Sequence, residues 1–228
     1  MLFVNYFMHA QTRTTHEASA TPQEQKTIFT IKVLAPQEYS KYYEQTHESL
    51  GADLHMIKDE VQNELNKSVR FRENNLKIQI DLESPASHPV MDQLDETICE
   101  GSMTSVTTLL NNINVIDASS HYIVLLPCKA DNHTEIFNSA HVDVPLVMHK
   151  VNIECSNRIA IFRESNKEML MSSFGNAVLK AIGAPLDDYA KLTTVSNGDE
   201  GIESHLTINE ETIHNILDSK CFYNILAL

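Results

Sequence analysis

The sequence contains no tryptophan and only six glycines, and aromatic residues make up 7% of its 228 residues. Its core must therefore be built mainly from Leu, Ile, Val and Met side chains. The sequence has no glycine-rich loop of the kind that cradles phosphate groups. It also has no Gly-x-Ser-x-Gly segment of the kind that presents a nucleophilic serine. These absences argue against a nucleotide-binding site and against a serine-hydrolase site.

Long apolar runs are missing as well. No stretch approaches the ~18–20 apolar residues that a membrane-spanning helix requires. Residues 1–9 are mostly apolar, with Ala10 at the position of a signal cleavage site, but no Lys or Arg precedes them. A signal segment and an ordinary polar arm are both open interpretations. The composition predicts a flexible arm over residues 1–26 and a single domain over residues 27–228.

Basic residues are scarce, with 17 Lys and Arg against 31 Asp and Glu, so the formal net charge is -14. This acidity disfavours binding to a nucleic-acid backbone or to an anionic membrane. The basic residues cluster only in residues 67–72 (KSVRFR), which is more typical of a solvated helix end than of a nucleic-acid interface. We expect a protein or peptide partner whose identity the sequence does not give, and no nucleic acid.

The four cysteines and eleven histidines form no recognisable metal motif. No two cysteines have C-x-x-C spacing, which argues against a zinc knuckle and against a thioredoxin-type site. No two histidines have H-x-x-x-H spacing on a predicted helix. We therefore expect no metal and no other cofactor.

The hydrophobic periodicity alternates between that of strands and that of helices, which predicts an α/β domain. It predicts strands at Thr27–Leu34, Leu76–Leu82, His121–Leu126 and Arg158–Phe162, and a short edge strand within Asp143–Lys150. It predicts helices at about Ser49–Ser68, Ser102–Asn114 and Glu168–Ile182, and a terminal helix opened by a Thr207-x-x-Glu210 capping box. Residues 187–206 are predicted to be a loop.

Three stretches resemble, in order, segments of the metzincin zinc proteases of the adamalysin (ADAM, reprolysin) branch. They are the strand-helix-strand unit Thr27–Leu82, whose helix contains Asp59–Leu65, similar to a Val-Asn-Glu run of the family, and the segments Pro145–Phe162 and Ser172–Asp187. The resemblance implies a twisted mixed sheet of about five strands with an edge strand, packed by three to four helices. It also places Ser172–Asp187 on the family's zinc-binding helix, whose pattern is H-E-x-x-H-x-x-G-x-x-H.

With Gly183 on the glycine of that pattern, the three histidines fall on Asn176, Lys180 and Leu186, and the glutamate falls on Ala177. A catalytic zinc needs about three converging N, O or S donors. Ala177 and Leu186 supply none, and Lys180 would bring an ammonium group to the position of the metal. The resemblance therefore implies an inactive pseudoprotease with no catalytic residue and no zinc.

Considered without the resemblance, the same helix has a simple pattern. Leu170, Phe174, Val178 and Ile182 recur at steps of four, which predicts a core-facing stripe. Asn176 and Lys180 lie outside that stripe, so we predict that they are polar residues at the helix surface.

The resemblance has two further implications. The family's substrate cleft implies that an extended peptide could add to the edge strand, at Val144, Leu146, Val147 and His149. The family's disulfide implies a bond between Cys155 and Cys221, with buried thiols as the alternative. That bond would require an oxidising compartment, so a secreted location is slightly favoured over a cytoplasmic one. Whether Cys99 and Cys128 also pair stays open.

The sequence thus favours a catalytically inactive metalloprotease-like domain that acts as a protein-binding or assembly module. Two alternatives stay open. One is an active metallohydrolase with a rearranged metal site, and the other is an intracellular structural component of a larger complex.

Overall fold

A computed structural model describes residues 27–45, 49–83, 121–127, 146–149, 158–161, 167–185, 188, 190–196, 202–219 and 222. Several predictions fall outside these residues: the N-terminal arm, the helix at Ser102–Asn114, the residues Val144 and Leu186, and all four cysteines with the Cys155–Cys221 bond. These stay predictions. No helix among the described residues is long and apolar enough to cross a membrane.

The described residues form strands and helices in mixed order, so the predicted α/β class is confirmed. The strands are β1 (Thr27–Leu34), β2 (Leu76–Glu83), β3 (His121–Leu125), β4 (Leu146–His149), β5 (Arg158–Ile161), β6 (Lys191–Ser196) and β7 (Ile202–Thr207). The helices are α1 (Gln37–Tyr43), α2 (Leu50–Lys67), α3 (Val69–Glu73), α4 (Lys167–Ala181) and α5 (Glu210–Asp218).

Strands β1 to β5 form one mixed sheet in the order β2-β1-β3-β5-β4. Strands β2, β1, β3 and β5 are parallel, and β4 runs antiparallel to β5. Parallel strands need crossover connections and are usually covered on both faces. Strand β3 follows this rule, because all five of its residues are buried. Among the described strands, β2 and β4 form the two edges of the sheet.

Helix α2 packs one apolar stripe against the sheet. It begins after Ser49, whose hydroxyl accepts a hydrogen bond from the backbone N–H of Ala52, as an N-cap residue does. Its buried residues are Leu50, Leu54, Ile57, Val61 and Leu65. The three-and-four spacing of these residues predicts both the helix and its buried face, and the structure confirms both.

Helix α4 is the central helix of the fold, and it ends at a glycine. Gly183 has a φ of 96°, a conformation that costs a residue without Cβ little. The N–H of Ala184 donates to the carbonyl of Leu179, and the N–H of Gly183 donates to that of Lys180. This pair of bonds is the Schellman ending of a helix. Gly183 is therefore explained by local backbone chemistry.

The hairpin β6–β7 corrects the predicted loop over residues 187–206. The two strands are antiparallel, with Leu192 opposite Leu206. Leu206 is buried against Gly175 of α4. In β6 the two apolar residues, Leu192 and Val195, lie three positions apart, which does not follow the period of two of a strand, so the pattern did not predict the hairpin.

The start of α5 is also corrected. The helix begins at Glu210 after Asn209, whose side chain accepts a hydrogen bond from the N–H of Glu211. The predicted capping box at Thr207 was wrong because Thr207 is still in β7, where its hydroxyl donates to the carbonyl of Lys191. The short helices α1 and α3 were not predicted.

Candidate functional site

The predicted ligand positions on α4 lie inside the protein. Ala177 is fully buried, Asn176 is 3% exposed and Lys180 is 8% exposed. The prediction that Asn176 and Lys180 lie at the helix surface was therefore wrong. Periodicity failed here because α4 is covered on nearly every side, so polar residues outside the apolar stripe are buried too.

Asn176 joins α4 to the segment that leads into β6. Its amide nitrogen donates to the carbonyl of Ser172 at 2.8 Å. Its amide oxygen accepts the backbone N–H of Ala190 at 3.0 Å. Both hydrogen-bonding ends of the side chain are thus used by the chain's own backbone, as burial of an amide requires.

Lys180 has a similar role one turn later. Its ammonium group donates to the backbone carbonyls of Pro185 and Asp188. A buried ammonium group is costly unless such acceptors compensate it. Asn176 and Lys180 together fasten residues 185–190 to the end of α4. The chemistry available at these positions is therefore that of backbone attachment.

The margins of α2 carry a second set of polar contacts. Asn66 Nδ2 donates to the carbonyl of Ile78 at 2.9 Å, and Asn66 Oδ1 accepts the N–H of the same residue at 2.9 Å. Gln62 Oε1 accepts the N–H of Ile80 at 2.8 Å. Ile78 and Ile80 belong to β2, which is the terminal strand of the sheet. The two side chains therefore bond the outer edge of β2 where another strand would otherwise pair.

The opposite margin of α2 contacts the hairpin. Glu60 Oε1 accepts the backbone N–H of Leu206 in β7 at 2.6 Å and lies 3.5 Å from His205 Nδ1. Beside this contact lies an open groove of about 800 Å³, which also exposes Glu64 and Thr193. The carboxylate of Glu64 is engaged by Lys67 at 3.1 Å. The ionisable side chains that line the groove thus mainly contact one another.

The predicted edge strand is present as β4. It contains Leu146, Val147 and His149, whereas Val144 lies outside the described residues. On one side β4 pairs with β5, with Val147 opposite Ala160. Among the described strands, none pairs with its other side. Leu146, Val147 and His149 thus lie on a strand at the edge of the described sheet, and their role in peptide binding stays a prediction.

The direction of the β4 backbone groups follows from its neighbour. The carbonyl of Ile161 in β5 accepts the N–H of Leu126, so it faces the β3 side of the sheet. Backbone groups alternate along a strand, so those of Ala160 face β4. Val147, opposite Ala160, therefore bonds β5, and the N–H of the next residue, Met148, faces outward. Met148 offers a donor to an added strand.

Buried polar residues also cross the middle of the sheet. Tyr122 of β3 lies between Lys32 of β1 and Arg158 of β5, with the two cationic groups 5.6 and 5.0 Å from its ring centroid. Arg158 is fully buried. These distances are typical of cation–π contacts across neighbouring strands. They give the central strands a polar cross-strand contact that the apolar pattern did not predict.

His121 of β3 is buried beside Phe29, with ring centroids 4.3 Å apart. Within the described part of the chain its Nε2 atom has no hydrogen-bond partner. Burial, and secondarily the charge of Arg158, lower the pKa of His121 to about 3. The imidazole is therefore neutral at physiological pH and behaves as a core aromatic ring. No group of three or more His, Cys, Asp or Glu with metal-binding geometry occurs among the described residues.

Comparison with known proteins gives the family. A family model described as "Spore wall protein" matches residues 28–222, which is most of the 228-residue chain. The chain belongs to this spore wall protein family. A spore wall protein of Encephalitozoon cuniculi (strain GB-M1) is 31% identical over 86 residues. That match covers 38% of this chain and 39% of the relative, well under half of each.

The family assignment corrects the metzincin hypothesis. The matching model is that of spore wall proteins, so the assignment to the adamalysin branch, and with it the pseudoprotease function, was wrong. The alternative of a rearranged metallohydrolase site is not supported either. The residues that matched the metzincin pattern have local explanations. Gly183 ends helix α4, and Asn63 and Glu64 are polar residues of α2 outside its buried stripe. Helix-ending glycines occur in many unrelated folds.

The sequence did not predict that side chains of α2 bond the backbone of β2. Gln62 and Asn66 are four residues apart, so they lie on one margin of α2, and this spacing was the available signal. Nothing in the sequence states that β2 is a terminal strand. The signal could be interpreted only once the strand order was known.

Proposed function

We propose that this chain is a structural, non-enzymatic component of the spore wall that works by binding other proteins. The observation that carries the proposal is the family match over residues 28–222. Of the alternatives that the sequence left open, this is the structural component of a larger complex. We place that component in the spore wall and not inside the cell. The slight preference for a secreted location agrees with this placement.

The internal chemistry of the fold supports a structural role. The polar side chains of α4, Asn176 and Lys180, are used to attach the chain's own backbone. Glu60, Gln62 and Asn66 of α2 are used in the same way. These described contacts hold strands and loops in place, and none of them leaves a converging set of groups around a reaction centre.

The experiment that tests the location is immunogold electron microscopy of spores from the source organism. An antibody raised against the purified chain should place gold particles over the wall. The matched control is the same antibody absorbed beforehand with purified chain, which should remove the label. Gold confined to the cytoplasm would contradict the proposal.

We also propose that binding uses the outer edge of β4. Two observations support this: among the described strands β4 pairs only with β5, and the N–H of Met148 faces away from β5. Exposed strand edges bind extended segments of other chains through backbone hydrogen bonds. The residues involved would be those predicted from the sequence, Leu146, Val147 and His149, together with Val144.

A further inference from the structure

The two edges of the five-stranded sheet differ in what covers them. Strand β2 forms one edge and β4 the other. An unpaired edge strand presents a row of free N–H and C=O groups, which invites pairing with another chain. Proteins restrain such edges by covering or blocking them. At β2 the covering groups are visible.

The cover of β2 comes from the amide side chains of Asn66 and Gln62. Asn66 bonds both the N–H and the C=O of Ile78, each at 2.9 Å, and Gln62 accepts the N–H of Ile80 at 2.8 Å. A side-chain amide carries the same donor and acceptor as a backbone peptide group. The Asn66 amide therefore takes both hydrogen bonds that a residue of a partner strand would make with Ile78.

We propose that Asn66 and Gln62 form an edge cap that closes β2 to partner strands, so that a strand from another chain extends this sheet only at β4. The closed β2 edge is a property of the fold alone. The use of β4 rests on the proposed function. Closing one edge also has a consequence for self-association, because head-to-tail pairing of β2 with β4 of the next copy would build an open filament. The cap prevents that filament.

The cap is fixed by how α2 packs. Val61 and Leu65 are fully buried against the sheet, and Gln62 and Asn66 each follow one of them in sequence. The amides are thus held at the sheet margin by the same packing that buries the apolar stripe. Asn63 lies on the same helix but is exposed, so it provides a matched control with the same side-chain chemistry.

The first test is hydrogen exchange of the purified wild-type chain, followed at the amides of Ile78 and Ile80. The proposal predicts that both are protected, although they lie on a terminal strand. The Gln62→Ala/Asn66→Ala double variant should accelerate their exchange by about tenfold or more, the effect of losing roughly one net hydrogen bond at each site. Asn63→Ala should leave both rates unchanged. Unprotected Ile78 and Ile80 amides in the wild-type chain would overturn the proposal, even if no variant folds.

The second test is sedimentation velocity of the same proteins over a range of concentrations. Opening the β2 edge should make the double variant form larger species as the concentration rises, whereas Asn63→Ala should sediment like the wild type. A double variant that keeps the wild-type circular dichroism spectrum and sediments like the wild type at all concentrations would overturn the proposal. Failure of the wall-location experiment would leave both of these results unaffected.

Discussion

Two helices of this protein both use polar side chains to bond backbone groups, but in different surroundings. Helix α2 places Glu60, Gln62 and Asn66 at its margins, where these side chains are partly exposed. Helix α4 places Asn176 and Lys180 in the interior, where they are at most 8% exposed. A lost hydrogen bond at a margin can be replaced by water, whereas one lost in the interior cannot. The polar contacts of α4 should therefore matter more for the stability of the fold than those of α2.

The largest effect is expected from removing the buried ammonium group. Lys180→Met leaves the carbonyls of Pro185 and Asp188 without their donor. We expect the free energy of unfolding to fall by about 3 kcal/mol, because two charge-assisted hydrogen bonds are lost. Urea denaturation measures it. The control is Lys67→Met on α2, whose side chain is 74% exposed and should change stability by less than about 0.5 kcal/mol. Equal losses of stability in both variants would show that burial of Lys180 does not make its hydrogen bonds more important than those of Lys67.

The second-largest effect is on the pH dependence of stability, and it comes from His121, which is buried within the sheet. Burial holds the pKa of His121 at about 3, below its ordinary value of 6.5. The fold therefore favours the neutral ring, so stability is complete above pH 6.5 and is lost as the pH falls toward 3. Between pH 7.5 and pH 5 we expect a loss of about 2 kcal/mol, at about 1.4 kcal/mol per pH unit below 6.5.

The measurement is urea denaturation at a series of pH values for the wild type and for His121→Phe. The Phe variant keeps an aromatic ring beside Phe29 but cannot be protonated, so its stability should vary much less between pH 7.5 and pH 5. Identical pH profiles for the two proteins would show that burial of His121 is not the cause.

The smallest effect compares glycines in the same two helices. A Cβ on Gly175 would lie 2.8 Å from Leu206 Cδ2, whereas a Cβ on Gly51 would meet nothing closer than 3.8 Å. We expect Gly175→Ala to destabilise the protein by about 1 kcal/mol, since overpacking exceeds the gain in helix propensity. Gly51→Ala, in the first turn of α2, should instead stabilise it by about 0.5 kcal/mol. Thermal unfolding of both variants should therefore shift in opposite directions, and a shift in the same direction would count against close packing of α4.

The sequence predicted those parts of the fold in which local periodicity and packing agree. The stripe of α2 and the strict alternation of β2 each imply one buried face, and both elements appear close to the predicted bounds. The hairpin β6–β7 was missed because the apolar residues of β6, Leu192 and Val195, do not alternate along the strand. Asn176 and Lys180 were predicted to lie on the surface because they fall outside the apolar stripe of the helix. Helix α4 is covered on nearly every side, so its polar residues are buried as well.

The functional assignment failed for a related reason. A helix ended by Gly183 and a strand-helix-strand order are shared by many α/β proteins, so they do not specify a family. For the family assignment, the positions that did not match the metzincin pattern were more informative than those that did. Ala177 and Lys180 do not match the ligands of that pattern, and the structure shows Lys180 donating to the carbonyls of Pro185 and Asp188. The edge cap needed the strand order, which no local pattern in the sequence contains.

Attachment of this chain to the spore wall through the outer edge of β4 is a proposal, and it can be measured as binding of labelled, purified chain to isolated spore walls. Met148→Pro removes the outward N–H of β4 without removing a bond to β5, and proline is tolerated at such edge positions. Met148→Leu keeps that N–H and serves as the control. We expect the wild type and Met148→Leu to be retained on the walls and folded Met148→Pro to be washed off. Equal retention of all three proteins would contradict it.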